Sequence, residues 1–197
     1  MQILWINIIM DGPPAQSLGV EPPDETITKS KKPRKASEPI INQTVFQRVI
    51  LSAICIVTGT LYVFYRETEE DINGHRHTTA RDTTMTFTCF VFFDMMNALC
   101  CRSQTQSVFT MNLLANKPFL YAVSGSIISQ FCVIYIPFFQ NIFVTEALYF
   151  SDIVFLVCVA SSILFVSEWW KMRNRRNSRK MKLRAKNYVS DKADGWV

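Results

Sequence analysis

Four long apolar runs constrain this chain more than any other feature of its sequence. Each has about the 17–25 residues that a helix needs to cross the hydrocarbon core of a bilayer. Only helices and closed barrels satisfy all of their backbone groups inside a membrane. The runs therefore predict an all-α integral membrane protein, a helical bundle with four full transmembrane helices. The predicted spans are residues 44–65, 84–101, 119–138 and 150–170.

A shorter apolar segment opens the chain and is interrupted by prolines. Residues 3–10 contain one amide, Asn7, and are followed by Asp11 and then by Gly12–Pro14. The two prolines lack a backbone N–H and clash with the preceding turn, and the glycine adds conformational freedom. We expect the helix to unwind around Asp11 and to leave backbone carbonyls free. The segment has no signal-peptide features, so residues 1–18 are predicted to be a truncated, proline-broken first membrane helix.

Asn7 and Asp11 are four residues apart, so on a helix they share one face. Amide, carboxylate and freed carbonyl oxygens are hard ligands that suit Ca²⁺ or Mn²⁺. Transporters build ion sites from such broken helices. The same spacing has a second interpretation, in which Asn7 is a packing amide and Asp11 caps the helix after the prolines. The spacing alone leaves both interpretations open.

A second carboxylate within an apolar run is Asp94, with Asn97 three residues on and on the same helical face. Burying an ionised aspartate is costly unless it is paired or meets a cation. Asp94 is therefore expected to face protein rather than lipid. It ligates an ion, bonds to a neighbouring helix or stays protonated, and the residues alone do not separate these roles.

Basic residues are distributed unevenly between the two sides of the predicted membrane. Of the 21 Lys and Arg residues, three lie on one side if every apolar run crosses, and the others lie on the opposite side. The positive-inside rule then places the loop 19–43 and the basic tail 171–197 in the cytosol. A basic stretch beside a span meets anionic lipid, so no nucleic-acid binding is expected. The sequon at Asn42 falls on the cytosolic side and is expected to stay unmodified.

Three segments, in order along the chain, match known membrane helices. They are WINIIMDGPPAQSLGVEP (Trp5–Pro22), DTTMTFTCFVFFDMMNAL (Asp82–Leu99) and GSIISQFCVIYIP (Gly125–Pro137). They closely resemble the sixth, eighth and ninth transmembrane helices of P-type calcium pumps. The resemblance is closest to the secretory-pathway (Golgi) Ca²⁺/Mn²⁺ ATPases, and it covers nearly the whole chain apart from the loop and the tail. It implies the carboxy-terminal transmembrane segment of such a pump, from the sixth to the tenth helix.

The resemblance also implies roles for the intramembrane polar residues. In that family the fourth and sixth helices build the calcium site, and the sixth supplies the Asn and Asp of an NxxxD motif, which match Asn7 and Asp11. Met10 stands where the endoplasmic reticulum pumps have a threonine, as in the group that carries one ion per cycle. Asp94 falls where those pumps use a glutamate in a second site. That site looks lost here, so a structural or proton-linked role is implied for Asp94 rather than ligation.

The family resemblance further implies which partners this chain needs. The sequence has no DKTG phosphorylation motif, nucleotide-binding domain or actuator TGE loop. ATP and Mg²⁺ would act only through those domains, with Ca²⁺ and Mn²⁺ as transported ions. The chain is expected to be inactive alone and to contribute part of the ion site of a pump that loads the Golgi and secretory pathway. It would be a gene-model fragment or a product starting at an internal Met.

A second hypothesis makes this chain a protein in its own right. It would be a catalytically silent, truncated membrane protein that acts by binding partner helices or channels. Its basic tail would then lie at the lipid surface. Under both hypotheses the partners are the lipid bilayer and another membrane protein, which is the remaining part of the pump in the first case.

Overall fold

The computed structural model of this chain is largely helical. The helices are α1 (Gln2–Trp5), α2 (Gly12–Leu18), α3 (Gln43–Glu67), α4 (Ala80–Cys101), α5 (Lys117–Tyr135), α6 (Pro137–Phe143) and α7 (Phe150–Asp194), and a π-helical segment (Ile6–Asp11) joins α1 to α2. Two short strands, β1 (Glu69–Glu70) and β2 (Arg76–His77), pair antiparallel between α3 and α4.

The structure describes most of the chain, and the predicted loop 19–43 lies almost wholly outside the described residues. Backbone is described for residues 1–20, 43–70, 76–103, 107–110, 114 and 116–194. Side chains are described for the same residues except 9–11, 69–70, 76–77 and 178–194.

Four helices in the described part are long and apolar enough to cross a membrane. They confirm the predicted helical membrane bundle with four full spans. Their spanning portions are Gln43–Glu67, Ala80–Cys101, Lys117–Tyr135 and Phe150–Asn177.

Three helix ends differ by more than two residues from those expected. α4 begins at Ala80, four residues before its predicted start. α5 ends at Tyr135 because Ile136, which precedes Pro137, has an extended backbone (φ −87°, ψ 120°). Pro137 then occupies the start of α6, a position where its missing N–H costs nothing. At the other end of the bundle, α7 continues past residue 170 to Asp194, so the tail begins as an extension of the last span.

α4 is the central helix of the bundle. It packs against both α3 and α7, and 56% of its most apolar stretch is buried against 6% for α3. Its sequence is apolar on all sides, which is typical of a buried helix. The hydrophobic core joins α4 to α5 and α7 and includes Met85, Val91, Phe93, Phe119, Val133, Ile134, Leu156 and Ile163.

Polar contacts fix where α4 and α7 begin. Thr79 and Asp82 form a capping box: the Thr79 hydroxyl accepts from the Asp82 N–H at 3.2 Å, and the Asp82 carboxylate accepts from the Thr79 N–H at 2.9 Å. Beside it, Arg81 donates to the Asp152 carboxylate at 2.8 Å. This ion pair ties the first turn of α4 to the first turn of α7, and so sets which ends of the two helices meet.

Candidate cation site

The predicted break around Asp11 takes the form of a π-helical segment rather than an open coil. Residues Ile6–Asp11 are π-helical, and Gly12 continues into α2 with helical dihedral angles (φ −65°, ψ −72°). Pro13 and Pro14 offer no N–H to the carbonyls of the preceding turn. A wider turn relieves the clash of their rings while keeping the chain helical. Such π-helical insertions are frequent at functional sites.

Asn7 lies on the outer side of this segment. Its side chain is exposed, as is that of the next residue, Ile8 (62% exposed). By contrast, Trp5 and Ile6 pack against the hydrophobic core. Asp11 is four positions beyond Asn7, just short of one π-helical turn, so its backbone lies on the same side of the helix. The Asp11 side chain is not among those that the structure describes.

One end of this segment is attached to α6. Gln2 donates its side-chain amide to the Phe143 carbonyl at 3.0 Å. The Trp5 ring meets the Phe143 ring edge-on, with 5.0 Å between centroids, and contacts Phe139 at 6.5 Å. Aromatic pairs in this range are attractive beyond their buried area. These contacts hold α1 against the short helix that follows α5.

The other end is attached to the start of α5 through Asn116. The Asn116 side chain accepts from the Phe119 N–H at 2.9 Å, which caps α5, and donates to the Ser17 carbonyl at 3.0 Å. Asn116 is buried, so both bonds are shielded from water. Ser17 itself donates to the Pro14 carbonyl at 2.7 Å. The π-helical segment is therefore held between two fixed points, one on each side of the proline pair.

Asp94 lies on α4, which packs beside the π-helical segment. Its side chain is half-buried, in keeping with the expectation that it faces protein. On the same face, Asn97 accepts a weak hydrogen bond from the Cys101 thiol at 4.0 Å. The structure thus brings together the two helices that carry the predicted polar residues.

No group of three or more His, Cys, Asp or Glu side chains is placed to hold a metal among the residues that the structure describes, which exclude the Asp11 side chain. Asn7 and the backbone of Asp11 belong to one segment, and Asp94 belongs to its neighbour. Any cation site here must therefore combine few side-chain oxygens with backbone carbonyls or with groups outside the described residues. Ca²⁺ takes about 6–8 oxygen ligands.

The role of Asn116 was missed by sequence reasoning, although a local signal was present. Asn is a preferred residue at the start of a helix, and Lys117-Pro118 follows it. These residues predict the cap on α5. Only the folded chain shows that the same amide also binds the Ser17 carbonyl, 99 residues away.

Comparison with protein families adds an independent result. The model described as "Cation transporting ATPase, C-terminus" matches residues 1–173. The chain belongs to this family. The match contains the π-helical segment, the spanning helices α3, α4 and α5, and α7 as far as Arg173. The geometry described above therefore belongs to this cation-transporting ATPase C-terminal domain.

Individual relatives of this ATPase domain carry calcium transport in their names. It is 53% identical to "Calcium-transporting ATPase 1" of Saccharomyces cerevisiae over 182 residues, which cover 90% of this chain and 19% of that protein. It is 54% identical to the human "Calcium-transporting ATPase type 2C member 1", covering 85% of this chain and 18% of that protein. It is 52% identical to the human "Calcium-transporting ATPase type 2C member 2", covering 87% of this chain and 18% of that protein. The chain thus spans about a fifth of the length of these relatives.

Proposed function

We propose that this chain is the carboxy-terminal membrane domain of an ATP-driven calcium pump of the secretory pathway, and that Asn7 and Asp11 supply part of its cation site. The ion is Ca²⁺, with Mn²⁺ as a second cargo. ATP hydrolysis, with its Mg²⁺, belongs to the cytosolic domains of the pump rather than to this chain. The names of its relatives support calcium as the cargo.

The observation that carries this proposal is the outward position of Asn7 on a helix whose opposite side is anchored. Trp5 and Ile6 fix the inner side of the segment to the core, whereas Asn7 is exposed on its outer side. An exposed amide, and carbonyls to which Pro13 and Pro14 offer no N–H, are costly at membrane depth unless another helix or an ion meets them. A further helix of the pump, packed on this side, would complete the oxygen shell around the ion.

The location and the partners follow from the same proposal. The bundle sits in Golgi and secretory-pathway membranes with its basic tail in the cytosol, and its partner is the remaining part of the pump. The alternative, a catalytically silent protein that binds other helices or channels, is not favoured by membership of a cation-transporting family. Its basic tail would be compatible with either function.

A chimaera tests the proposal. This chain replaces the corresponding stretch of the yeast relative, and Ca²⁺-dependent phosphoenzyme formation and ATP-driven Ca²⁺ uptake into vesicles are measured. The unsubstituted chimaera should be active. Asp11→Asn and Asn7→Ala should each raise the Ca²⁺ concentration needed for phosphoenzyme formation by more than about a hundredfold. That is more than the loss of a group that only supports a ligand would cost. An inactive chimaera that folds and reaches the membrane would overturn the proposal.

Asp94→Asn is the contrasting substitution. If Asp94 has a structural or proton-linked role, the variant should keep Ca²⁺-dependent phosphorylation at near-normal Ca²⁺ concentrations. Asn97→Ala, on the same face of α4, is the matched control for loss of a polar side chain. If the Asp94 and Asp11 variants lose equal Ca²⁺ affinity, Asp94 is a ligand of the ion.

A further inference from the structure

A small cleft lies where the first turns of α3 meet α7, just beyond the apolar part of the last span. Its volume is about 90 Å³, several times the ~10–15 Å³ that one water molecule needs. It has room for a small polar group and not for a whole ligand. The cleft is lined by Thr44, Gln47, Trp170, Arg173, Asn174 and Asn177.

The lining of this cleft is suited to an anion. Among the described residues that line it, none is acidic and Arg173 is the one that carries a charge. Arg and the Trp indole can only donate hydrogen bonds, and the amide and hydroxyl side chains can donate as well. α3 begins beside the cleft with no acidic residue in its first turn, so no carboxylate of that turn neutralises the positive end of its helix dipole.

Arg173 is positioned by an aromatic neighbour. Its guanidinium lies 5.4 Å from the centroid of the Trp169 ring, within the range of a cation–π contact. This contact limits the positions that the long side chain can take along α7. An arginine held in this way binds a phosphate through fixed, paired N–H groups, which a freely moving lysine does not provide.

The depth of the cleft matches the headgroup layer of a membrane. Deeper in the span, α3 and α7 are in contact, with 3.8 Å between Cys55 Sγ and Ser162 Oγ. Trp169 and Trp170 lie at the level where aromatic residues mark the membrane–water boundary. Ile50, one turn deeper than Gln47 on α3, is 44% exposed and offers apolar surface to an acyl chain.

We propose that this cleft binds the phosphate of an anionic phospholipid, with Arg173 as the charged contact and Gln47, Asn174 and Asn177 as hydrogen-bond donors. The lipid would join α3 to α7 at this end of the bundle. The site is separate from the π-helical segment, and the inference does not depend on the proposed transport function.

The test titrates short-chain phosphatidic acid onto the full chain in detergent micelles, with bound lipid counted by native mass spectrometry. Arg173→Gln should weaken binding by about tenfold or more, because it removes charge-assisted hydrogen bonds. Arg176→Gln removes the same charge outside the cleft. It should weaken lipid binding by at most about fivefold, the effect of losing one basic residue near a membrane surface. Equal losses in the two variants would overturn the proposal.

Gln47→Ala is the second variant, since it alters the cleft from α3 without changing any charge. It should weaken binding by about threefold through the loss of a neutral hydrogen bond, whereas diffuse attraction to the tail predicts no change. An unchanged affinity would contradict the site.

Inorganic phosphate separates the two sources of the ligand. If excess phosphate leaves the lipid bound, the ligand is the phospholipid; if it displaces the lipid and binds by itself, the cleft is a phosphate site without lipid specificity, which overturns the lipid assignment.

Discussion

The ring of Phe93 on α4 lies directly against Gly59 on α3. A Cβ added at Gly59 would be 2.3 Å from Phe93 Cζ, a distance that no packed structure tolerates. Phe93 is fully buried, so its ring has no free space into which to move. Small residues let membrane helices approach closely, and this contact brings α3, which buries little of its own surface, close to the central helix α4.

Gly59→Ala should therefore destabilise the bundle by about 1–3 kcal/mol, the usual cost of overpacking a filled core. Thermal unfolding in detergent micelles would measure the change. Gly125→Ala is the matched control, because a Cβ at Gly125 meets nothing within 4 Å. In that helix the substitution should be neutral or stabilising by about 0.5–1 kcal/mol. Equal stabilities of the two variants would show that the close contact does not constrain the packing.

Asn116 should be the residue whose loss most loosens the beginning of the chain. Asn116→Ala removes the cap on α5 and the bond to the Ser17 carbonyl, and leaves buried groups unpaired, at a cost of about 1–3 kcal/mol. Amide hydrogen exchange in α2 should rise in this variant.

Asn116→Asp separates the two roles of this side chain. The carboxylate still accepts from the Phe119 N–H but has no proton to donate to the Ser17 carbonyl. The cap on α5 should survive while exchange in α2 rises as in the alanine variant. Unchanged exchange in α2 with Asn116→Asp would mean that the bond to Ser17 does not hold the segment.

The ion pair Glu168–Lys171 on α7 predicts a large loss of stability when only one of its partners is removed. Lys171 is 1% exposed and its ammonium lies 3.6 Å from the Glu168 carboxylate, which also accepts from the Val108 N–H at 2.9 Å. Glu168→Ala leaves a buried cation without this partner and should cost about 3–5 kcal/mol. The double variant Glu168→Ala/Lys171→Met should be less destabilised than the single one, by thermal unfolding in micelles. If the double variant is the less stable of the two, the buried charge is not the source of the penalty.

The predicted orientation gives a labelling test in sealed microsomes. Ser190→Cys, in the basic tail, should react with a membrane-impermeant maleimide in intact vesicles. Asn73→Cys, in the connection between α3 and α4, should react only after detergent is added, since the positive-inside rule places it in the lumen. The sequon at Asn42 should remain without sugar. The reverse labelling pattern, or a glycan at Asn42, would invert the topology.

Much of the fold was accessible from local sequence. The four spans could be predicted because a bilayer requires about twenty apolar residues per helix. On α5, a Cβ added at Gly125 meets nothing within 4 Å, whereas its neighbour Ser126 is buried. Composition identifies a small residue, but it does not determine which side of the helix faces another element.

The sequence by itself determined that this chain is a membrane helical bundle with four spans, and that Asn7, Asp11 and a proline pair share one segment. These properties depend on local chemistry: apolar length, missing N–H donors and helical spacing. Only the tertiary structure decided that Asn116 holds one end of this segment and Phe143 the other, and that Arg173 faces α3 across a cleft. Such contacts join residues distant in the chain, so they depend on how the helices pack rather than on the pattern within any one of them.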